Sequence, residues 1–284
     1  MPPLRFARLR VVKISDWPRP CGGAFFCLPP ARRTSRLTSR RERAQDWAIM
    51  ELTIIQTGDV PLPLRERFGP YPPMFEAMFE AAGAGFSYAA VPVFEGAPFP
   101  DPAGLEAILI TGSAAGVYDS HYAWLEPLRA FIRSAYAART PMLGICFGHQ
   151  IMADALGGDV RKSDKGWGLG RHTYGITAHP GFLGNPAPAL SIACSHQDQV
   201  LVPPPEAETF LASEFTPHAG LVYRNGAAMS LQPHPEFGDD YTLALAELRR
   251  GKAPDPVIDT AIASLATPSD SAETARSLTR FLKR

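Results

Sequence analysis

The strongest constraint on the fold of this chain is the heptapeptide Gly-Ile-Cys-Phe-Gly-His-Gln at residues 144–150. The short apolar run that ends at Ile145 predicts a buried strand, and residues 147–156 predict a helix. Cys146 lies at the corner between them, with one glycine two residues before it and another two residues after it. This arrangement is typical of a nucleophile elbow, a sharp strand-to-helix turn that exposes one reactive side chain above the sheet. The heptapeptide therefore predicts an α/β fold and a nucleophile together.

The strand-to-helix corner explains why glycines flank Cys146 and why its thiol is expected to be reactive. A Cβ atom at Gly144 or Gly148 would crowd the strand against the helix, which accounts for glycine at both positions. A helix N-terminus also presents unpaired N–H groups and partial positive charge, and these favour a thiolate over a thiol. The sequence thus predicts that Cys146 is an activated nucleophile.

From Met50 onward, strand-like and helix-like patterns alternate along the chain. Apolar residues at helical spacing predict helices over 72–82 and 124–138, with short apolar runs before and after each. This order predicts a doubly wound α/β fold of the flavodoxin-like kind, in which helices flank both faces of a mostly parallel central sheet. The predicted strands cover 52–56, 86–94, 107–111 and 142–145.

The pattern changes after Gly157-Gly158, where glycine and proline separate shorter strand-like segments. Asn225-Gly226, between apolar runs at 220–223 and 227–232, predicts a β-hairpin. Two further helices are predicted over 239–250 and 269–282, with Ser269 or Asp270 as the N-cap of the second. The remaining predicted strands lie at 160, 170–176, 190–194 and 208–212.

The net charge of the chain is zero, but the charge is unevenly distributed. Residues 1–49 hold ten Arg and one Lys against three acidic residues, a net charge of +8, so the other 235 residues carry −8. An acidic catalytic region argues against nucleic acid as a partner. No apolar run approaches the ~18 residues that a membrane-spanning helix needs. The four cysteines match no zinc or disulfide pattern, so a cytoplasmic location is expected.

Residues 1–49 differ from the rest because they are rich in Arg, Pro and Ser and lack sustained periodicity. They are compatible with a transit peptide or with a tail for nucleic acid or another acidic partner. A third interpretation is an extension that is disordered, or that is not native because translation starts at Met50. The third interpretation is favoured because the segment cannot bury a core of its own, and its cysteines, Cys21 and Cys27, are given no role. The predicted organisation is an Arg/Pro-rich extension over 1–49, a catalytic domain over 50–240 and a C-terminal helical extension over 241–284 that packs on the same domain.

A cysteine nucleophile needs a base, and the base needs an orienting acid. His234-Pro235-Glu236 offers both at the end of a predicted strand, because residues i and i+2 of an extended segment project to the same side. Pro235 favours the extended conformation at His234. His196, with Asp198 two residues further on, is an alternative base, and the residues alone leave this choice open.

A tetrahedral intermediate on the cysteine needs two N–H donors nearby. The amide of Phe147, the residue after the nucleophile, is one candidate. The loop Thr-Gly-Ser-Ala-Ala-Gly at 111–116 follows a neighbouring predicted strand, and its small residues would let the backbone approach a substrate. Considered alone, such a loop is more often a plain strand-to-helix connection.

Taken together, these blocks resemble the class I glutamine amidotransferases, the Cys-His-Glu family that hydrolyses the side-chain amide of glutamine. Three blocks match in order, namely the Thr-Gly-Ser loop at 111–113, the elbow at 144–150 and His-Pro-Glu at 234–236. A fourth, Ser-His-Gln-Asp-Gln-Val at 195–200, is similar to the family's substrate-side segment. The resemblance runs from about residue 52 to residue 237 and points to a free-standing domain like the glutaminase domain of GMP synthases.

The resemblance implies a role for each matching residue. Cys146 would be the nucleophile, His234 the base and Glu236 the orienting acid, while Gly112 and Phe147 would supply the oxyanion-hole N–H groups. It implies no metal and no cofactor. The loop here reads Thr-Gly-Ser, whereas Gly-Gly-Pro is common in biosynthetic members. The residues expected to bind the glutamine substrate are Gln150, Ser195, Gln197 and Asp198.

Three functions are compatible with such a site. The first is hydrolysis of the γ-amide of glutamine through a cysteinyl thioester, releasing glutamate and ammonia for a possible synthetase on a separate polypeptide, since this chain has no Walker-type phosphate motif. The second is a free-standing γ-glutamyl hydrolase or peptidase acting on γ-glutamyl amines or peptides. The third, least favoured because His-Pro-Glu is complete, is a non-catalytic regulatory or chaperone-like member of the fold. The expected partners are glutamine or a γ-glutamyl substrate and possibly that synthetase, with no nucleic acid and no membrane.

Some residues near these motifs are expected to carry no chemistry. Cys194 ends an apolar strand and is expected to be an inert buried thiol. His149 is expected to be packed or solvent-facing. The glycine-rich segment at 165–170 is expected to be a hairpin or loop, with a mobile lid carrying Trp167 as the alternative.

Overall fold

The computed structural model describes residues 12–13 and 49–284 of the chain. Val12–Lys13 forms a two-residue strand, β1, which pairs antiparallel with Ala89 and Ala90 at one edge of the main sheet. The rest of the Arg/Pro-rich extension, with Cys21 and Cys27, lies outside the described residues. The predictions about that extension and about the domain boundaries therefore stay predictions.

Residues 51–155 form strands and helices in alternation, as the sequence pattern predicts, and residues 159–231 form mostly strands. The strands after β1 are β2 (Glu51–Gln56), β3 (Ser87–Pro92), β4 (Ala107–Ile110), β5 (Met142–Ile145), β6 (Asp159–Lys162), β7 (Gly168–Ile176), β8 (Ala189–His196), β9 (Asp198–Val202), β10 (Ala207–Ala212), β11 (Gly220–Tyr223) and β12 (Ala228–Leu231). The helices are α1 (Leu62–Phe68), α2 (Tyr71–Ala81), α3 (Leu125–Ala138), α4 (Phe147–Ala155), α5 (Asp239–Glu247), α6 (Asp255–Ser264) and α7 (Ser271–Leu282).

Five parallel strands form the centre of a ten-stranded sheet, in the order β3-β2-β4-β5-β12. Counted from β2 along the chain, this is the 2-1-3-4-5 order of flavodoxin-like folds. The predicted α/β fold with a mostly parallel central sheet is therefore confirmed. Ligands of such sheets bind beyond the carboxyl ends of the strands, and β4, β5 and β12 lead at that edge to Gly112, Cys146 and His234.

Antiparallel strands extend the sheet beyond β12 in the order β11, β10, β7 and β8, while β6 and β9 form a separate two-stranded sheet. The predicted hairpin between β11 and β12 is confirmed. Gly226 has a φ of 75°, a conformation that favours glycine, and the side-chain oxygen of Asn225 accepts a hydrogen bond of 2.9 Å from the amide of Ala227. The hairpin brings the chain back into the centre of the sheet next to β5.

The hydrophobic core lies on both faces of the sheet, because successive side chains of a strand point to opposite sides. In β2, Leu52 and Ile54 belong to one apolar cluster with residues of α2 and α7, whereas Ile55 belongs to a second cluster with residues of α3 and α4. The C-terminal helices pack on this framework, with α5 against β7 and β8, α6 against β7, and α7 against α2 and β8. In the part of the chain that the structure describes, no helix is long and apolar enough to span a membrane.

Among the elements that the sequence patterns did not predict are β1, α1, α6 and β9. Helix α1 buries none of its residues, so it has no apolar stripe to recognise. The predicted N-cap role of Asp270 is wrong in one respect. Asp270 occupies the N-cap position of α7, but its carboxylate accepts a 2.7 Å hydrogen bond from the amide of Ser191 instead of capping its own helix.

Candidate active site

The elbow at Cys146 has the geometry that its sequence predicts. Cys146 has a φ of 55° and a ψ of −103°, a strained conformation for a residue with a side chain. Its amide donates a 2.8 Å hydrogen bond to the carbonyl of Leu231 on β12, which fixes the corner to the neighbouring strand. Helix α4 begins at the next residue, Phe147. The cysteine therefore stands at a helix N-terminus, above the carboxyl end of β5.

The steric role predicted for the two glycines is confirmed. A Cβ atom on Gly144 would lie 2.5 Å from the carbonyl oxygen of Gly148. A Cβ atom on Gly148 would overlap the carbonyl oxygen of Ile110 in β4. Both contacts are with backbone, which has little room to move. The two glycines let α4 pack directly on β4 and β5.

His234 and Glu236 form a close pair beside the cysteine. Nδ1 of His234 lies 2.6 Å from Oε1 of Glu236, and the two side chains are 4% and 1% exposed. The imidazole ring stacks on Phe237 with 3.9 Å between ring centroids and 7° between ring planes. The amide of His234 donates a 2.7 Å hydrogen bond to the carbonyl of Ala193 on β8. Backbone, carboxylate and aromatic ring together hold the imidazole in one orientation.

The electrostatics of His234 favour its protonated form. Burial lowers the pKa of His234, but the Glu236 carboxylate and the Cys146 sulfur outweigh burial and raise that pKa to about 10. The structure thus places the sulfur, the imidazole and the carboxylate in one series, in which the imidazole hydrogen-bonds to Glu236. Such a series suits a thiolate–imidazolium pair.

The alternative base, His196, lacks these properties. Burial, together with the neighbouring His172, lowers the pKa of His196 to about 3. Its Nδ1 faces the backbone carbonyl oxygen of Asp198 at 3.1 Å rather than a carboxylate. His196 therefore has no carboxylate on its ring, whereas His234 has Glu236.

The loop after β4 lies directly against the cysteine and the histidine. A Cβ atom on Gly112 would lie 3.1 Å from Cε1 of His234 and 3.7 Å from Cβ of Cys146. The hydroxyl of Thr57 donates to the carbonyl of Thr111 at 3.0 Å and fixes the start of this loop. Within residues 49–284, neither the amide of Gly112 nor that of Phe147 donates a hydrogen bond to the protein. Both N–H groups are therefore free to donate to a ligand.

A cavity of about 300 Å³ opens in front of Cys146. Gln150 is held in its wall, because its amide nitrogen donates to the carbonyl oxygen of Asp198 at 2.8 Å and to Oε1 of Gln232 at 3.1 Å. The hydroxyl oxygen of Ser195 is buried in the same wall without a hydrogen-bond partner. All the residues predicted to bind substrate line this cavity, namely Gln150, Ser195, Gln197 and Asp198.

The cavity wall also contains residues that sequence reasoning missed. Tyr118, Lys162 and Arg249 line it beside Cys146, and so does Trp167, which the sequence suggested only as part of a loop or lid. The Tyr118 ring and the Asp198 carboxylate both approach Gly116, where an added Cβ atom would lie 2.9 Å and 3.3 Å from them. Gly168 and Gly170, within the glycine-rich segment, belong to strand β7 and not to a loop. An isolated arginine after a helix carries no motif, so only the fold could bring Arg249 to the site.

The comparisons with known proteins agree with this geometry. The family model described as "Glutamine amidotransferase class-I" matches residues 89–240, more than half of the 284-residue chain. The chain belongs to the class-I glutamine amidotransferase family. The match includes the elbow and His-Pro-Glu.

Three relatives of this class-I amidotransferase chain illustrate how far the likeness extends. It is 33% identical over 136 residues to the "Putative glutamine amidotransferase YLR126C" of Saccharomyces cerevisiae, which covers 47% of this chain and 53% of the yeast protein. It is 29% identical over 166 residues to the glutamine-hydrolysing GMP synthase of Thermus thermophilus, covering 54% of this chain and 31% of that enzyme. A solved glutamine amidotransferase from Thermotoga maritima has a TM-score of 0.62 at 21% identity, covering 82% of this chain and 96% of the other, which shows the shared fold. The chain spans about half or less of the length of these two curated relatives.

Two residues near the nucleophile lack the properties of a reactive group. Burial raises the pKa of Cys194 to about 12, in line with an inert thiol. His149 is fully buried, which lowers its pKa to about 3, and its Nδ1 lies 2.8 Å from the hydroxyl of Ser230. Within residues 49–284, no group of three or more His, Cys, Asp and Glu side chains could hold a metal ion.

Proposed function

We propose that this chain hydrolyses the γ-amide of a glutamyl substrate, with glutamine as the simplest case, through a thioester on Cys146. The observation that carries the proposal is the series formed by Cys146, His234 and Glu236, with the sulfur at a strained helix N-terminus and the imidazole 2.6 Å from a buried carboxylate. A cysteine with a base and an orienting acid in this arrangement is equipped for acyl transfer.

In the first half-reaction, the Cys146 sulfur attacks the γ-carbonyl carbon, and a carbon–sulfur bond forms. The negative charge that develops on the carbonyl oxygen is stabilised by the amides of Gly112 and Phe147. The imidazolium of His234 then gives its proton to the amide nitrogen, the carbon–nitrogen bond breaks, and ammonia leaves. Glu236 holds the His234 ring so that its other nitrogen faces the sulfur.

In the second half-reaction, His234 accepts a proton from a water molecule that attacks the thioester carbon. The carbon–sulfur bond breaks, glutamate forms, and the sulfur returns as a thiolate next to the imidazolium. The water-attack step uses the same two oxyanion donors, since the charge develops on the same oxygen.

The glutamyl end of the substrate carries an ammonium and a carboxylate, and the cavity wall supplies matching groups. We assign the ammonium to the Asp198 side chain, which lies beside the hydroxyl of Tyr118. Burial raises the pKa of Asp198, the direction expected of a carboxylate that awaits a cation. Gln150, Ser195 and Gln197 are assigned to the remaining polar contacts.

The relatives support a role in nitrogen transfer. Glutamine-hydrolysing GMP synthases match this chain. One match, from Sulfolobus acidocaldarius, is a single subunit of such a synthase and is 35% identical over 96 residues. A separate synthetase that receives the ammonia is accordingly part of the proposal. A reducing cytoplasm, which would keep the Cys146 thiol available, is proposed as the location.

The test compares the chain with Cys146→Ala in an assay for glutamate and ammonia released from glutamine. We expect the substitution to abolish release, because it removes the nucleophile. Cys194→Ala is the matched control, since it removes the other cysteine that the structure describes, which is buried away from the cavity. Equal activity in the chain and in Cys146→Ala would refute the proposal, and mass spectrometry of a trapped thioester on Cys146 would support it directly.

A further inference from the structure

The guanidinium of Arg249 reaches the active-site cavity without a counter-ion. Arg249 follows helix α5 and lines the same cavity as Cys146. Its guanidinium carbon lies 4.4 Å from the ring centroid of Trp167, another residue of the cavity wall. Its Nε atom is buried and has no hydrogen-bond partner among the described residues.

Two other arginines in this part of the chain have carboxylate partners. The buried Arg171 pairs with Asp239, and the exposed Arg250, next in sequence to Arg249, pairs with Glu247 and Asp259. Lys162, the other cation in the cavity wall, lowers the pKa of Asp198 by its charge. Within residues 49–284, Arg249 makes no ion pair with any carboxylate.

A partly buried cation without an anion is costly, because burial removes hydration that nothing replaces. Burial lowers the pKa of Arg249, which is the direction expected of this cost, although an arginine stays charged. The position of Arg249 near the C-terminus of α5 is favourable for a positive charge, because the helix dipole is negative at that end. It does not explain why the side chain stacks on Trp167 inside the cavity. An anionic group of the substrate would remove the cost.

The position of Arg249 shows which part of the substrate it meets. Leu248, the residue before Arg249, packs in one apolar cluster with Tyr241 and Phe237. The rings of Tyr71 and Tyr241 pack against Phe237, which stacks on His234. Arg249 therefore lies on the histidine side of the cysteine.

The ammonium of the glutamyl end is assigned to Asp198, which lies on a different element. Gln150 and Asp198 belong to α4 and β9, which pack against each other, whereas α5 packs against α1, β7 and β8. The leaving nitrogen receives its proton from His234, so the leaving group must lie on the histidine side. Arg249 thus faces the part of the substrate that departs.

We propose that Arg249, supported by Trp167, binds the carboxylate of an amino-acid leaving group, so that γ-glutamyl amino acids are preferred substrates. This inference rests on the proposed acyl transfer through Cys146. The reaction is the same: the carbon–nitrogen bond breaks, His234 protonates the nitrogen, and the free amino acid leaves in place of ammonia. Water then releases glutamate.

The experiment uses two substrates that differ only in one charge, γ-glutamyl-glycine and γ-glutamyl-glycinamide, with glutamine as a third. We expect kcat/KM for the acid to exceed that for the amide by about 10- to 100-fold, the range for one charge-assisted hydrogen bond to a carboxylate. Arg249→Gln should remove most of this ratio, and Arg249→Lys should restore part of it. Arg250→Gln is the matched control, since it removes the adjacent arginine, which is exposed and lies outside the cavity; the ratio should not change.

Each outcome decides the inference. A ratio near one in the unmodified protein would overturn it and leave the proposed function intact, as would hydrolysis of glutamine alone. If Arg249 instead binds the α-carboxylate of the glutamyl group, Arg249→Gln would lower kcat/KM equally for acid and amide, which also overturns it. No hydrolysis of any of the three substrates would overturn the proposed function and this inference together.

Discussion

Replacing Glu236 by glutamine removes a charge from the buried series while keeping its shape. Oε1 of Glu236 lies 2.6 Å from Nδ1 of His234 with both side chains buried. Burial lowers the pKa of His234, and the carboxylate is the largest influence that raises it, to about 10. A hydrogen bond to a charged group contributes about 1.5–3 kcal/mol, which at about 1.36 kcal/mol per pH unit corresponds to roughly 1 to 2 pH units.

The direction of the pH shift in Glu236→Gln follows from the way Glu236 raises the pKa of His234. Glu236 stabilises the imidazolium, so its loss lets the proton leave at lower pH. The alkaline limb of kcat/KM, where the imidazolium of the coupled Cys146–His234 pair loses its proton, should therefore move to lower pH by about 1 to 2 units in Glu236→Gln. We also expect kcat to fall on the order of 10⁴-fold, less than the order of 10⁶-fold for His234→Ala, because an orienting acid contributes less than the base.

The assay is ammonia release from glutamine, measured from neutral to alkaline pH, with thermal unfolding recorded for each variant. Glu247→Gln is the matched control, because Glu247 is an exposed carboxylate that pairs with Arg250 and does not line the cavity. Its pH profile should equal that of the unmodified protein. An alkaline limb that stays in place or moves to higher pH in Glu236→Gln would refute the reasoning.

Two further predictions test the elbow and its cysteine. Gly148→Ala should destabilise the fold by about 1–3 kcal/mol or more in chemical denaturation, since the new Cβ would overlap the backbone of Ile110. Gly181→Ala is the control and should change stability little, because its added atom meets open space. Equal stability of the two variants would contradict the steric argument. A glutamine-like electrophile should label Cys146 and leave Cys194 unmodified, because burial raises the pKa of Cys194 to about 12. Peptide mass spectrometry identifies the labelled residue. Labelling of Cys194 at a similar rate would count against Cys146 as the nucleophile.

The centre of the site could be predicted from the sequence because its chemistry is local. The elbow needs glycine at 144 and 148 for contacts around one strand–helix corner, so the required residues all lie within seven consecutive positions. The His234–Glu236 pair needs only an extended tripeptide, since residues two apart project to one side. Short-range geometry of this kind leaves a clear pattern in the chain.

The rest of the cavity could not be predicted because tertiary packing assembles it. Arg249 comes from the segment after α5 and Trp167 from the residue before β7, and no spacing rule connects them. Strand β9 was missed because it begins with Asp198, a polar residue that lines the cavity and hides the apolar pattern of the strand. The sequence likewise could not show that the ring of His196 faces the backbone carbonyl of Asp198 and not its carboxylate.

The insertion of β12 between β5 and β11 has a consequence for the newly made chain. A ribosome delivers Cys146 well before residues 228–236, so the elbow can form while its neighbouring sheet edge is still open. The thiol gains its imidazole only when this late strand enters the sheet. A chain arrested before residue 234 therefore carries Cys146 without the imidazole that the proposed reaction uses.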